Sequence, residues 1–357
     1  MKNVIEFSSV MLAFALVTSF GVSAQANERF SIQSWQNSFG QAVKKNDSAA
    51  IKKLTDMKSI EAQALPKCVD CETKEKLSKA RALFEKGDFL GAAKADSDIT
   101  KDSDYWLMAI QEKGWAYFRN EDFEKTLAQT KTLLSPQFKE VADSESYLLQ
   151  SLSQLRICDY EGVLKTDKNF KENQKSRVVA IQELAKTGAN ASLQDGIKQI
   201  DRFPLAFEDF GDKLTNLPLL FYRDIEFQKA LLKIKISQAA LSAMSVVGDN
   251  QPELQARYTQ MKDDASEQLK NRLQKLAQIE TQNNFKVIQK LNLVEVEAIQ
   301  RIHTDSKLAD SSYSKGDFKK VSEDQLVFMD DGQPWIDELD KYDVAAKTCP
   351  RHLRRKM

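Results

Sequence analysis

From Glu253 to His303 the chain carries neither proline nor glycine. Apolar residues recur there as Leu254, Tyr258, Met261, Ala265, Leu269, Leu273, Leu276 and Ile279, then as Ile288, Leu291, Val294, Ala298 and Ile302. Steps of three and four put them on one stripe of a single amphipathic helix, and Pro252 suits its first turn. At 1.5 Å per residue such a helix spans roughly 75–80 Å. The expected antiparallel partner, LPLLFYRDIEFQKALLKIKISQAALSAMSVV (217–247), is apolar on most faces but covers only ~45 Å. The far half of the stripe therefore needs another cover: the helical units earlier in the chain, the C-terminal segment, or another subunit. The polar gap TQNN (281–284) marks either a change of partner or a bend.

The rest of the chain has the same texture. Twelve glycines and seven prolines in 357 residues leave long stretches unbroken, which favours an all-α fold in one large or two modest domains. Lysine and arginine number 52, as do aspartate and glutamate, so no global field points to nucleic acid. Residues 1–26 read as a cleaved signal peptide. Lys2 precedes the apolar run VMLAFALVTSFGVSA, too short for a comfortable span, and Ala24-Gln25-Ala26 supplies the small residues a signal peptidase reads. The mature chain is expected to begin near Asn27 in the periplasm, or secreted, with no stable membrane span.

Three segments share a turn made of a glycine or polar residue, an acid and an aromatic. They are SKARALFEKGDFLGAAKADSDI, AIQEKGWAYFRNEDFEKTLAQTKTLL and YLLQSLSQLRICDYEGVLKTDKNF. The aromatics Phe89, Phe123 and Tyr160 are 34 and then 37 positions apart. Phe89 with Ala92, Phe123 with Thr126 and Tyr160 with Val163 set a large and a small residue one turn apart, so the second helix of each unit can press on the first. Leu83 and Tyr117 fall late in the first helix; Ile99, Leu133 and Phe170 fall late in the second. Over residues 73–172 this stretch resembles the tetratricopeptide repeat family, whose helix-turn-helix unit has that period. Gln154 and Asp167 depart from the family, standing where it has apolar residues.

The expected order is an N-terminal cap over 27–72, about three tetratricopeptide-like repeats over 73–172, and a degenerate cap or linker over 173–216. The long α-hairpin (217–303) follows, then a C-terminal segment with a basic tail (304–357). KKNDSAAIKKL (44–54) echoes the repeat turn near the start, and SKGDFKKV (314–321) echoes it late. Near the end, Phe328, Asp331, Gly332, Trp335, Asp337, Glu338, Leu339 and Tyr342 form F-x-x-D-G-x-x-W-x-D-E-L-x-x-Y. This is similar to the ending of exported tetratricopeptide proteins of predatory and gliding bacteria, which implies a link to envelope or motility machinery. The family often has glycine after D-E-L, where this chain has Asp340. On a helix, Trp335, Leu339 and Tyr342 would share one face.

Export makes paired cystines the default for Cys68, Cys71, Cys158 and Cys349. The preferred pairing is Cys68–Cys71 with Cys158–Cys349; the alternative ties Cys349 to Cys68 or Cys71. Catalytic signatures are absent: His303 and His352 are the only histidines, and no nucleophile elbow, phosphate loop or H-E-x-x-H occurs. No metal site and no cofactor are expected. A thiol-disulfide role for Cys68 and Cys71 is one alternative, and an oligomeric strut built on the long helix is another.

The leading expectation is a non-enzymatic scaffold that binds envelope proteins. The tetratricopeptide resemblance implies binding along the first helices of the units. That projects Lys74, Leu77, Arg81 and Phe84 from the first and Met108, Gln111, Trp115, Phe118 and Arg119 from the second. The third contributes Leu148, Leu152, Leu155 and Arg156.

Overall fold

The computed structural model describes residues 29–65, 70–138, 141–247 and 251–304, together with 339, 341, 342 and 344. Residues 1–26, where a signal peptide is expected, Cys68, Cys349, the turn expected at 314–321, Trp335 and the basic tail lie outside the described residues.

Four helix-to-helix connections have one geometry. Helix α1 (Ile32–Lys44) passes to α2 (Ser48–Leu54), and α4 (Cys71–Glu85) to α5 (Phe89–Ser97). Helix α6 (Trp106–Arg119) passes to α7 (Phe123–Leu133), and α8 (Ser144–Arg156) to α9 (Tyr160–Thr187). In each, one residue takes the left-handed conformation: Asn46, Gly87, Glu121 and Cys158, with φ of 51°, 82°, 61° and 63°. The aspartate that follows (Asp47, Asp88, Asp122, Asp159) donates its backbone N–H five residues back, to Ala42, Leu83, Tyr117 and Gln154. The N–H of the left-handed residue reaches three back, to Val43, Phe84, Phe118 and Leu155. This is a Schellman ending, and the same aspartate then caps the next helix through its carboxylate. The acid of the repeated turn is thus a joint between two helices, and the echo at 44–54 has the same joint.

From α4 to α9 each helix packs on its neighbours in order. The small positions close the units: Ala92, Thr126 and Val163 are buried, as are the late residues Ile99, Leu133 and Phe170. Gln154 and Asp167 are buried too. Thr166 Oγ1 donates to Gln154 Oε1 at 2.9 Å between α8 and α9, and Lys171 pairs with Asp167 along α9. A polar tie takes the place of the apolar contact there.

No break falls near residue 172. Helix α9 runs 28 residues, because nothing interrupts it before Gly188, whose φ of 69° ends it. Its later turns bury Gln174, Arg177, Ile181 and Leu184. Helix α3 (Met57–Ala64) lies before the array and α10 (Ala191–Gln199) after α9. Strand β1 (Phe30–Ser31) pairs antiparallel with β2 (Arg202–Phe203). Short 3-10 turns follow, and α11 (Ile225–Val247) starts later than the apolar run, with Leu220 left-handed and the Asp224 carboxylate accepting the Phe227 N–H. Among the described residues the fold is all-α, with that one small strand pair.

Helix α12 (Pro252–Thr304) is one unbroken helix of 53 residues. Its first half lies on α11 and enters the largest core through Tyr258, Ala265, Leu269, Leu273 and Ala277. Its second half lies on α8 and α9 through Val287, Leu291, Val294 and Ala298. The helical units, of the three candidate covers, bury the overhanging stripe. Ile279 is the exception, 49 % exposed. The TQNN gap is where the partner changes, without a break. There Asn284 is buried and bonded to Ser144, and one turn earlier Glu280 pairs with Arg177 of α9.

Candidate protein-interaction face

The projected residues divide into three groups. Along α4 and α6 a strip stays at the surface. Arg81 is exposed, donates through both Nε and Nη2 to the Glu112 carboxylate, and touches the Met108 sulfur at 3.1 Å. A guanidinium held by two donors presents a fixed cation rather than a wandering one. Gln111 donates to Glu145 at 3.1 Å and accepts from Ser146 at 3.2 Å, joining α6 to α8. Burial, then repulsion from Asp143, raises the Glu145 carboxyl above the usual carboxylate range.

Past Gln111 the strip becomes aromatic. Trp115 and Phe118 meet edge to face with centroids 5.6 Å apart, and Phe118 meets Phe123 in the same way. Phe84 meets Phe89 at 5.2 Å, and the Arg119 guanidinium lies 5.4 Å over the Phe89 ring. The rings are half-buried, so each shows an edge or face while its neighbours hold its rotamer. The repeated joint causes this: every aromatic that opens a second helix is brought beside the end of a first helix. Lys74, exposed, sits over Tyr105 at 5.7 Å.

Under this strip lies Asp96, almost wholly buried near the end of α5. Burial, reinforced by the Glu112 charge, pushes its carboxyl up to about 7, against the pull of Arg81 and Lys113.

The second group is covered. Leu148 and Leu155 are buried under α12 with Val287 and Leu291, and Leu152 packs beside them. The third unit therefore gives its apolar face to the long helix and not to a partner; only Arg156 remains exposed there. Residue spacing within the unit does not reveal this, because the covering helix lies over a hundred residues away in sequence. The third group is Leu77 alone, buried in a core that Leu339 from the C-terminal segment enters.

Sequence reasoning missed a pocket beside the strip. About 150 Å³ in volume, it lies between α6 (Leu107, Met108, Gln111), Val141–Asp143 and the 3-10 segment (Phe207, Leu214, Leu219, Tyr222). Arg223 fixes its wall by pairing with Asp104 before α6, and it reaches Asp70 before α4 at 3.5 Å. Asp104 is raised above the usual range, burial outweighing the attraction of Arg223. The signal for this site was faint: the segment 207–222 is short and irregular, and only its aromatic content sets it apart.

Among the described residues no group of histidine, cysteine or acidic side chains is placed to hold a metal, and no helix is long and apolar enough to cross a membrane. Cys71 opens α4 and Cys158 is the left-handed residue of the fourth joint; both are disulfide-bonded. The choice among pairings involves Cys68 and Cys349 and falls outside the described residues. Together these features define an all-α helical array braced by one long helix, with a polar-aromatic strip on its first two units. Comparison with known families, with curated proteins and with solved structures finds no match.

Proposed function

We propose that the chain is a non-enzymatic scaffold of tetratricopeptide type, exported to the periplasm, that binds a protein of the cell envelope along α4 and α6. One observation carries this reading. Arg81, Met108, Trp115 and Phe118 stay at the surface in one strip across two units, while the equivalent leucines of the third unit are buried. Arginine and aromatic side chains with restrained rotamers lose little freedom on binding and dominate interface energies. The signal-like N-terminus and the cysteines support the compartment.

Photocrosslinking in the native cell tests it. A crosslinker at Trp115 or Met108 should capture one defined partner, and one at Lys94 on α5 should not. Trp115→Ala with Phe118→Ala should weaken recovery at least tenfold while helical content is retained. Unchanged recovery would show that the strip is not the binding face.

A second reading, an oligomeric strut, is favoured by a specific feature of α12. Phe285, Leu293, Val296 and Ile299 are exposed by 62 %, 70 %, 50 % and 40 % on its outer side. Gln282, Gln289, Asn292 and His303 fall in register with Phe285, Val296 and Ile299, without a charge among the seven. These seven positions run in alternating steps of three and four, the spacing of a coiled-coil seam, and Leu293 stands beside them in sequence. Light scattering at micromolar concentration decides: a monomer removes the strut.

A further inference from the structure

Leu339 is 2 % exposed, although it belongs to a segment that follows the end of α12 by about 35 positions. It enters a core made by Leu77 of α4, Ile99 before α6, Trp106, Ala109 and Ile110 of α6, and Leu133 of α7. Four separate stretches of the array thus converge on one leucine. The backbone is held as well: Lys101 Nζ donates to the Leu339 carbonyl oxygen at 2.8 Å while lying 5.8 Å over the Trp106 ring. Three residues on, Tyr342 packs at the margin of the same core, with Lys131 Nζ 4.5 Å from its ring centroid. The surroundings in sequence are acidic, DELDKYD, with Asp337, Glu338, Asp340 and Asp343 against Lys341 alone.

We propose that this end of the array is an acceptor site for acidic peptides carrying a leucine and a tyrosine three residues apart, and that the chain's own Leu339–Tyr342 segment occupies it in cis. The core reads the leucine, Lys131 reads the tyrosine ring, and Lys101 reads the backbone between acidic neighbours. Of the strip formed by Arg81, Met108, Trp115 and Phe118, only Met108 also borders this core, so changes at Trp115 and Phe118 test the strip without touching the acceptor site. A segment of the same chain experiences an effective concentration on the order of 1 mM. With an intrinsic Kd of the segment near ~10 μM, any competing peptide would then be weakened roughly a hundredfold. The segment thus sets a threshold that only a stronger or tethered partner exceeds.

The test uses a fluorescein-labelled peptide of residues 334–345, PWIDELDKYDVA, and the full chain. Leu339→Ser with Tyr342→Ser empties the site. Fluorescence anisotropy should then show micromolar binding, at least tenfold tighter than to the wild-type chain. Adding Lys101→Glu and Lys131→Glu should abolish it, as should serine at the peptide's leucine. Should the double change unfold the chain, Tyr342→Ala alone, which leaves Leu339 in place, carries the same comparison. Equal binding to the wild-type and emptied chains overturns the proposal, as does no binding to a folded emptied chain or indifference to the peptide's leucine.

Discussion

Arg177 of α9 donates through Nη2 to Glu280 Oε1 of α12 at 2.7 Å, with both side chains almost out of solvent. The guanidinium also donates to the carbonyls of Leu214, Thr215 and Leu217. The other carboxylate oxygen accepts the Leu219 N–H at 2.8 Å. One ion pair thus closes the carbonyl ends of a 3-10 turn and fixes where the long helix passes from one core to the other.

Removing the two partners should have unequal effects. Arg177→Ala leaves a buried carboxylate and three carbonyls without their donor, a loss of about 3–5 kcal/mol. Glu280→Gln keeps an oxygen for the Arg177 donor and gives up only the acceptor of the Leu219 N–H. Burial lifts the Glu280 carboxyl above its usual range despite Arg177, so discarding that charge should change stability by only ~1 kcal/mol. Urea denaturation of both variants checks the order; equal losses would contradict it.

The joints predict opposite signs at neighbouring residues. Asp122→Ala removes the carboxylate that accepts the Lys125 N–H and should lower stability by about 1 kcal/mol. Glu121 holds φ of 61°, a conformation costly for any residue with a Cβ. Glu121→Gly should therefore raise stability by roughly 0.5–1 kcal/mol. Thermal melts of the pair should move in opposite directions.

Asp96 makes stability depend on pH. Its carboxyl is raised by burial to about 7 in the folded chain, against an unfolded value near ~3.9. The folded state holds the proton more tightly, so this contribution is fully present below about pH 4 and lost as pH rises through 7. Asp96→Asn, which cannot ionise, should match the wild type near pH 4. By pH 8 it should be more stable by roughly 2–4 kcal/mol. Denaturation at the two pH values gives the comparison, and a gap that narrows with rising pH would refute it.

Leu291 and Leu293 stand two positions apart on α12, one buried and the other 70 % exposed. Leu291→Ala opens a cavity against α8 and α9 and should cost about 2–5 kcal/mol. Leu293→Ala should stay within ~0.5 kcal/mol in a monomer. A larger effect at Leu293 that grows with protein concentration would instead report assembly through that face.

Much of this architecture was legible in the residues. The spacing of Phe89, Phe123 and Tyr160, the aspartate before each, and the unbroken stretch from Glu253 to His303 are local signals. Each acts through its own turn of backbone: a cap, a left-handed residue, or the absence of a breaker. The TQNN gap marked a special place on the stripe, but whether the partner changed or the helix bent there was not legible, because a polar interruption fits both.

The sequence by itself determined that the chain is helical, where its joints lie, and that its longest helix needs two covers. Only the tertiary structure decided which surfaces those covers remove. Leu148 and Leu155 look the same in sequence as residues that would greet a partner, yet α12 buries them. Leu77 lies buried in a core that the distant Leu339 joins. The physical reason is that burial is a property of pairs of distant segments: hydrophobic area is removed from water only when the second surface arrives. A local pattern records that a face is apolar, and the fold assigns its occupant.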